Sequence, residues 1–91
     1  MLTLDDFSGS IGRDFEVRLA DASVPLRLTE AGALPHGVRE GGAFRLYFLG
    51  PQQPVLPQAI YALHEGGREF ELFLVPIASA AGGTQYEAIF S

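Results

Sequence analysis

Apolar and polar residues alternate with a period of two along most of the chain. Segment 13–19 is the clearest case, because Phe15, Val17 and Leu19 fall on one face and charged residues fall on the other. Alternation of this kind predicts a β-strand with one buried face. The same pattern predicts five further strands, at residues 24–29, 43–49, 59–64, 69–77 and 85–90.

Glycine and proline residues separate these strands. Glycine pairs at 66–67 and 82–83 predict tight hairpin turns, because glycine reaches positive φ without steric cost. Pro25 cannot donate to a ladder, which places the start of the second strand at a sheet edge. Segment 30–42 holds four glycines and a proline, so it predicts a long loop.

The predicted fold is all-β and forms a single domain over residues 1–91. Six strands joined mostly by short turns predict an antiparallel meander that is closed as a small barrel or folded as a sandwich. The first residues predict a short N-terminal helix, for which Thr3 is the expected cap.

Prolines stand at every third position of the connection between strands three and four, which reads GPQQPVLPQ from Gly50 to Gln58. One interpretation is a polyproline ligand for an aromatic groove of another protein. The other is a stiff strap, because seven residues at about 3.1 Å each reach across much of a domain this small. Its place between two strands favours the strap, which can link strands that are not neighbours.

The fifth strand is apolar on both faces. Phe70, Leu72 and Leu74 lie on one side, and three further apolar residues lie on the other. A sheet with one wet face does not carry such a pattern. Either the N-terminal segment covers the second face as a lid, or that face contacts a partner protein or a second copy. The predicted interaction surface consists of Tyr47, Leu49, Ile60, Phe73, Val75, Ile77 and Ile89.

Composition excludes several classes of function. The chain has no cysteine and no lysine, which removes disulfides, thiolate metal sites and Schiff-base chemistry. Its net charge is -5 and its arginines are dispersed, so neither nucleic acid nor a membrane is a predicted partner. No apolar run is long enough to cross a bilayer, and the N-terminus carries acids where a secretory signal carries bases. The predicted location is therefore cytoplasmic.

Candidate chemistry is sparse. His64 has acidic neighbours in Glu65 and Glu69, from which an acid–base pair or a metal site can be drawn. Solvated turn charges explain these residues better, so no catalytic residue, metal ligand or cofactor is predicted, and the protein is not predicted to be an enzyme. A small-molecule ligand is the alternative function, in a pocket at one barrel mouth lined by Tyr61 and Tyr86.

Several stretches resemble a family of small bacterial proteins described as a domain of unknown function. They are LTLDDF at residues 2–7, LPQAIYALH at 56–64, LFLVPI at 72–77 and YEAIF at 86–90. The resemblance covers nearly the whole chain and assigns neither an activity nor functional residues. It implies an accessory role beside a phage-tail-like assembly. Together with the apolar second face, it predicts a non-enzymatic structural or protein-interaction module.

Overall fold

The computed structural model describes residues 2–35 and 42–90. The predicted all-β fold with a short N-terminal helix is confirmed, and each predicted strand is present. The elements are α1 (Asp5–Ser8), β1 (Asp14–Arg18), β2 (Ser23–Ala33), β3 (Phe44–Gly50), β4 (Ala59–Glu65), β5 (Arg68–Ala80) and β6 (Gly83–Phe90).

The strands form a closed antiparallel barrel in the order β1-β2-β3-β6-β5-β4. Of the two predicted arrangements, the barrel is therefore the correct one. It consists of two three-stranded meanders, β1-β2-β3 and β4-β5-β6, that close on each other along two seams. The β3–β6 seam pairs along the whole of β3. The β1–β4 seam is short, with described pairs at Glu16–His64 and Val17–Leu63.

β2 is longer than the sequence predicts, so the loop predicted over 30–42 is wrong at residues 30–33. From Glu30 to Ala33 the backbone pairs with β3, after a register shift that follows Leu28. Glycine and alanine have a low strand preference, but pairing with a full-length neighbouring strand outweighs it. Pro25 precedes the first β2–β3 pair, so it lies at a local edge as predicted. Residues 36–41 of the predicted loop lie outside the described residues.

Side chains from all six strands fill the barrel interior. Alternate residues point inward, so the period-two pattern that marks the strands also defines the core. The buried strand residues are Phe15, Val17, Val24, Leu26, Leu28, Phe44, Leu46, Phe48, Leu63, Phe70, Leu72, Leu74, Tyr86 and Ala88.

α1 closes one end of the barrel. Phe7 is fully buried, and its ring lies among those of Phe15, Phe44, Phe70 and Phe90, with centroid distances from 4.9 to 6.3 Å. These distances are typical of favourable aromatic pairs. The N-terminal segment is therefore a lid, but the prediction that it covers the second apolar face is wrong. The four phenylalanines at the barrel end give Phe7 an apolar site that the outer face does not.

The first helical turn is held by Asp6 rather than by the predicted Thr3 cap. Leu4 occupies the N-cap position, and no side chain caps α1. Instead, the Asp6 carboxylate accepts the backbone N–H of Thr3 at 2.7 Å. Asp5 and Asp6 both lie in the first turn, where negative charge is favourable.

The proline-rich segment closes the other end as it runs from β3 to β4. These strands are not neighbours, so the prediction of a strap between non-adjacent strands is confirmed. Leu56 is buried, and its backbone N–H donates to the Tyr86 hydroxyl at 2.8 Å. The Tyr61 hydroxyl donates to the carbonyl oxygen of Pro57 at 2.5 Å. Two tyrosines thus fasten the strap, whereas Val55 stays exposed.

Candidate functional site

All residues of the predicted interaction surface lie on the outside of the barrel. Isolated exposed apolar residues are ordinary on protein surfaces, so their mutual placement decides whether they form a site. The strongly exposed members are Ile60 (67%), Phe73 (49%), Ile77 (43%) and Ile89 (54%). The half-buried members are Tyr47, Leu49 and Val75.

Ile60, Phe73 and Ile89 are exposed on the outer faces of the neighbouring strands β4, β5 and β6, and we call these three residues the apolar row. Ile60 pairs directly with Phe73 across the β4–β5 ladder. Opposite residues in such ladders have Cβ atoms about 4.5–5.5 Å apart, which is within contact range. Toward β6, Val75 pairs with Glu87, and the described β5–β6 pairing ends at this pair. Phe73 lies two residues before Val75 on β5, and Ile89 lies two residues after Glu87 on β6, so both point outward like Val75 and Glu87.

The remaining members are placed at different distances from the apolar row. Val75 and Ile77 continue from the row along β5, past a register shift. Tyr47 lies on β3 and is separated from Val75 by Glu87, which pairs with both. Leu49 lies two residues beyond Tyr47. The structure therefore brings the β4, β5 and β6 members together and sets the β3 members apart behind a polar stretch of β6.

Two carboxylates border the apolar row, one on each side. Glu71 precedes Phe73 by two residues on β5, and Glu87 precedes Ile89 by two residues on β6. Because β5 and β6 are antiparallel, the two side chains fall on opposite sides of the row. Neither has an ion-pair partner among the described residues. Every other carboxylate on the described strands faces an arginine or a histidine.

A separate polar cluster ties the lid to the β4–β5 turn. Glu65 is only 8% exposed, accepts a hydrogen bond from Arg68 and lies 3.4 Å from the nearest Arg13 nitrogen. Arg68 also donates to Ser10 Oγ at 3.1 Å and to the Asp6 carbonyl oxygen. The hydrogen bond from Arg68 outweighs burial and lowers the pKa of Glu65, with help from the two positive charges. The interpretation of Glu65 as a solvated turn charge is therefore wrong.

His64 lies on the outer face between Glu16 of β1 and Glu69 of β5. Its Nδ1 is 3.9 Å from Glu69 Oε1, which is too long for a hydrogen bond. All three residues line a cleft of about 580 Å³, whose lining residues carry no hydroxyl or thiol. Within residues 2–35 and 42–90, no three His, Asp or Glu side chains are placed to hold a metal ion. The acid–base pair drawn from His64 thus lacks a direct hydrogen bond in this arrangement.

Tyr61 and Tyr86 do not line an open pocket, because the strap occupies the mouth where the sequence places one. Tyr86 is fully buried, and both hydroxyls bond to strap backbone. Burial, with a smaller contribution from the Tyr86 phenol, raises the pKa of Tyr61, so its hydroxyl remains a donor. A cleft of about 290 Å³ elsewhere is lined by Leu49, Pro25 and Pro51 among others, and by neither tyrosine.

Sequence reasoning missed the buried role of Glu65 and the unpaired state of Glu71 and Glu87. Strand parity offered a signal for the first, because Glu65 follows the inward-facing Leu63 by two residues. No sequence signal reveals the second. The neighbours of Glu87 in particular depend on closure, because Tyr47 faces it across the β3–β6 seam.

The fold and surface define a small closed β-barrel, plugged at both ends and apolar on part of its outer face. The chain belongs to the family described as Domain of unknown function (DUF6916), whose model matches residues 2–90. The predicted membership of a domain-of-unknown-function family is thus confirmed. No curated protein and no solved structure shows significant similarity to the chain. Among the described residues, no helix combines the length and the apolar character needed to traverse a bilayer.

Proposed function

We propose that the barrel is a non-enzymatic protein-interaction module that binds a protein partner through the apolar row and the adjoining Val75 and Ile77. The observation that carries this proposal is the direct pairing of the exposed Ile60 and Phe73 on an outer face whose next strand carries the exposed Ile89. The barrel interior already holds a complete core, so these residues are not needed to stabilise the closed sheet from within. Contiguous apolar surface on a folded domain is typical of protein–protein contact.

The size of the apolar row sets the strength of binding that it supports. Complete burial of an isoleucine or phenylalanine side chain stabilises a complex by about 1.5–3 kcal/mol. The row residues are about half to two-thirds exposed, so their further burial contributes roughly 1–2 kcal/mol each. Association itself costs at least about 4 kcal/mol in lost translational and rotational freedom. The row alone therefore supports a weak complex, and a tight complex needs polar contacts around it.

Two further parts of the proposal depend on the sequence rather than on the geometry. An accessory role beside a phage-tail-like assembly is implied by the family resemblance, and a small barrel with one docking face fits such a role. Location in the cytoplasm is the prediction made from the sequence. Both stay predictions. The non-enzymatic part is supported by the cleft beside His64, whose lining residues carry no hydroxyl or thiol and in which His64 has no hydrogen bond to Glu69.

Co-purification with matched variants tests the proposal. Ile89→Ser changes the apolar row, and Val55→Ser changes an equally exposed residue on the strap, since both side chains are 54% exposed. Affinity-tagged forms are expressed in the native host, and the captured proteins are quantified by mass spectrometry. We expect a partner that the wild type and Val55→Ser retain and that Ile89→Ser and Phe73→Ser lose. Identical captured sets for all four forms, each confirmed to be folded by thermal unfolding, would refute the proposal.

A further inference from the structure

We infer that the partner presents a basic segment with an apolar anchor, in which one cationic side chain on each side of the anchor pairs with Glu71 and with Glu87. This inference rests on the proposed function, because it takes the apolar row as the docking face. It adds the chemistry of the partner, which the apolar side chains alone do not specify.

The strand geometry fixes the spacing of the two carboxylates. Glu71 lies two residues before Phe73 on β5, and Glu87 pairs with Val75, which lies two residues after Phe73. At about 3.3 Å per residue, their levels along the strands are about 13 Å apart. An extended segment spans that distance between its first and fifth residues. A basic–x–apolar–x–basic pattern therefore places its cations opposite the carboxylates while its central residue meets the apolar row.

Among the described residues, Glu71 and Glu87 differ from the other carboxylates on the strands, because neither has an ion-pair partner. Asp14 lies 3.5 Å from Arg27, for example, and Glu16 bonds to Arg18 at 2.9 Å. A docked chain that covered the row without cations would strip water from Glu71 and Glu87 and leave them uncompensated, which is unfavourable. A basic segment turns the same two groups into attractive contacts.

A second copy of this chain does not supply that chemistry. The chain has no lysine and a net charge of -5, so two copies repel each other at long range. Arg45 adjoins Ile89 across the β3–β6 ladder, but it already lies 3.7 Å from Glu30, with its guanidinium above the Tyr47 ring. Apposed rows from two copies would also bring their own bordering carboxylates together.

An NMR titration of the isotope-labelled full-length protein with two synthetic peptides tests the inference. One peptide carries lysine, isoleucine and lysine at alternate positions, and its twin carries glutamate in place of each lysine. We expect the lysine peptide to shift the amide signals of β4, β5 and β6 and to bind about tenfold more tightly than its twin at low salt. The difference should narrow as added salt screens the charges.

Charge reversal supplies the decisive comparison. The double variant Glu71→Lys/Glu87→Lys should prefer the glutamate peptide, whereas Glu16→Lys, an outward change on β1, should keep the wild-type preference. Equal binding of both peptides, no shift with either at about 1 mM, or a preference that survives charge reversal overturns the inference. So does a dimer, seen by light scattering, that Phe73→Ser dissolves, because the occupant is then a second copy.

The same titration separates this inference from the proposed function. If charge reversal has no effect but Phe73→Ser abolishes binding of both peptides, the apolar row is a docking face and only the partner chemistry is wrong. If Phe73→Ser leaves binding unchanged, the docking face itself is wrong.

Discussion

Replacing Phe7 or Phe73 with alanine removes the same side chain from two opposite environments. Phe7 is 0% exposed and packs among four phenylalanine rings, whereas Phe73 is 49% exposed on the outer face. Truncation of a fully buried phenylalanine costs about 3–5 kcal/mol of unfolding free energy, from lost transfer energy and the cavity left behind. A domain of this size has about 5–14 kcal/mol in total. Phe7→Ala should therefore remove a large part of the stability.

Phe73→Ala should cost much less. Its exposed half contributes nothing to the core, and its cross-strand pair with Ile60 is worth about 0.2–1 kcal/mol. We therefore expect a loss of about 1 kcal/mol or less. In thermal terms, Phe7→Ala should lower the melting temperature by more than about 12 °C, and Phe73→Ala by less than about 8 °C.

Urea unfolding of both variants, followed by circular dichroism at low protein concentration, measures these costs directly. The dependence of the unfolding free energy on urea should stay the same, because both variants expose similar surface on unfolding. Equal losses for the two variants, or a loss below about 1.5 kcal/mol for Phe7→Ala, would show that Phe7 does not plug the barrel. The assignment of Phe7 to the core and of Phe73 to the outer face would then be wrong.

Three further changes probe the closure of the barrel, each by urea unfolding. Gly83→Ala should cost about 3 kcal/mol or more, because the added Cβ overlaps a backbone carbonyl of β3. Tyr86→Phe should cost about 1–3 kcal/mol, since it leaves the buried Leu56 N–H without its acceptor. The lowered pKa of Glu65 means that its pair with Arg68 stabilises the fold above the pKa of an unfolded glutamate. That stability is lost as pH falls through the lowered value, so Glu65→Gln should flatten the pH dependence there.

Matched variants control these measurements. Gly32→Ala adds a Cβ that meets no atom within 4 Å, so it should be nearly neutral. Tyr47→Phe removes a hydroxyl that makes no hydrogen bond to the described residues and should cost little. Glu71→Gln changes a carboxylate that has no ion-pair partner among the described residues and should cost little stability. If a control variant loses as much unfolding free energy as the variant it is matched with, the contact that the matched variant was meant to remove does not stabilise the fold.

The strands and the core were predictable because alternation is a local property. Each strand has to bury one face, so residues such as Phe15 and Val17 mark their own orientation. The length and stiffness of the strap were also readable, and they correctly indicate a connection between strands that are not neighbours. The outward position of Phe73 follows from the same parity.

What the sequence could not show is how the two meanders meet. The extension of β2 to Ala33 depends on β3 lying beside it, and its own residues do not favour a strand. Likewise, the position of Phe7 at the barrel end could not be predicted, because the aromatic site that it fills is assembled from four strands that are distant in sequence. The contact of Glu65 with Arg13 and the position of Glu87 opposite Tyr47 depend on closure in the same way.

The two seams of the barrel differ in length, and this difference predicts where the sheet opens transiently. Opening should begin at the short β1–β4 junction, since the long β3–β6 junction acts as the hinge, and amide protons at the short junction should exchange with solvent first. The apolar row lies entirely on the β4-β5-β6 half, whose strands stay paired with one another when that junction opens. The barrel can therefore open between its two halves without separating the three strands that carry the row.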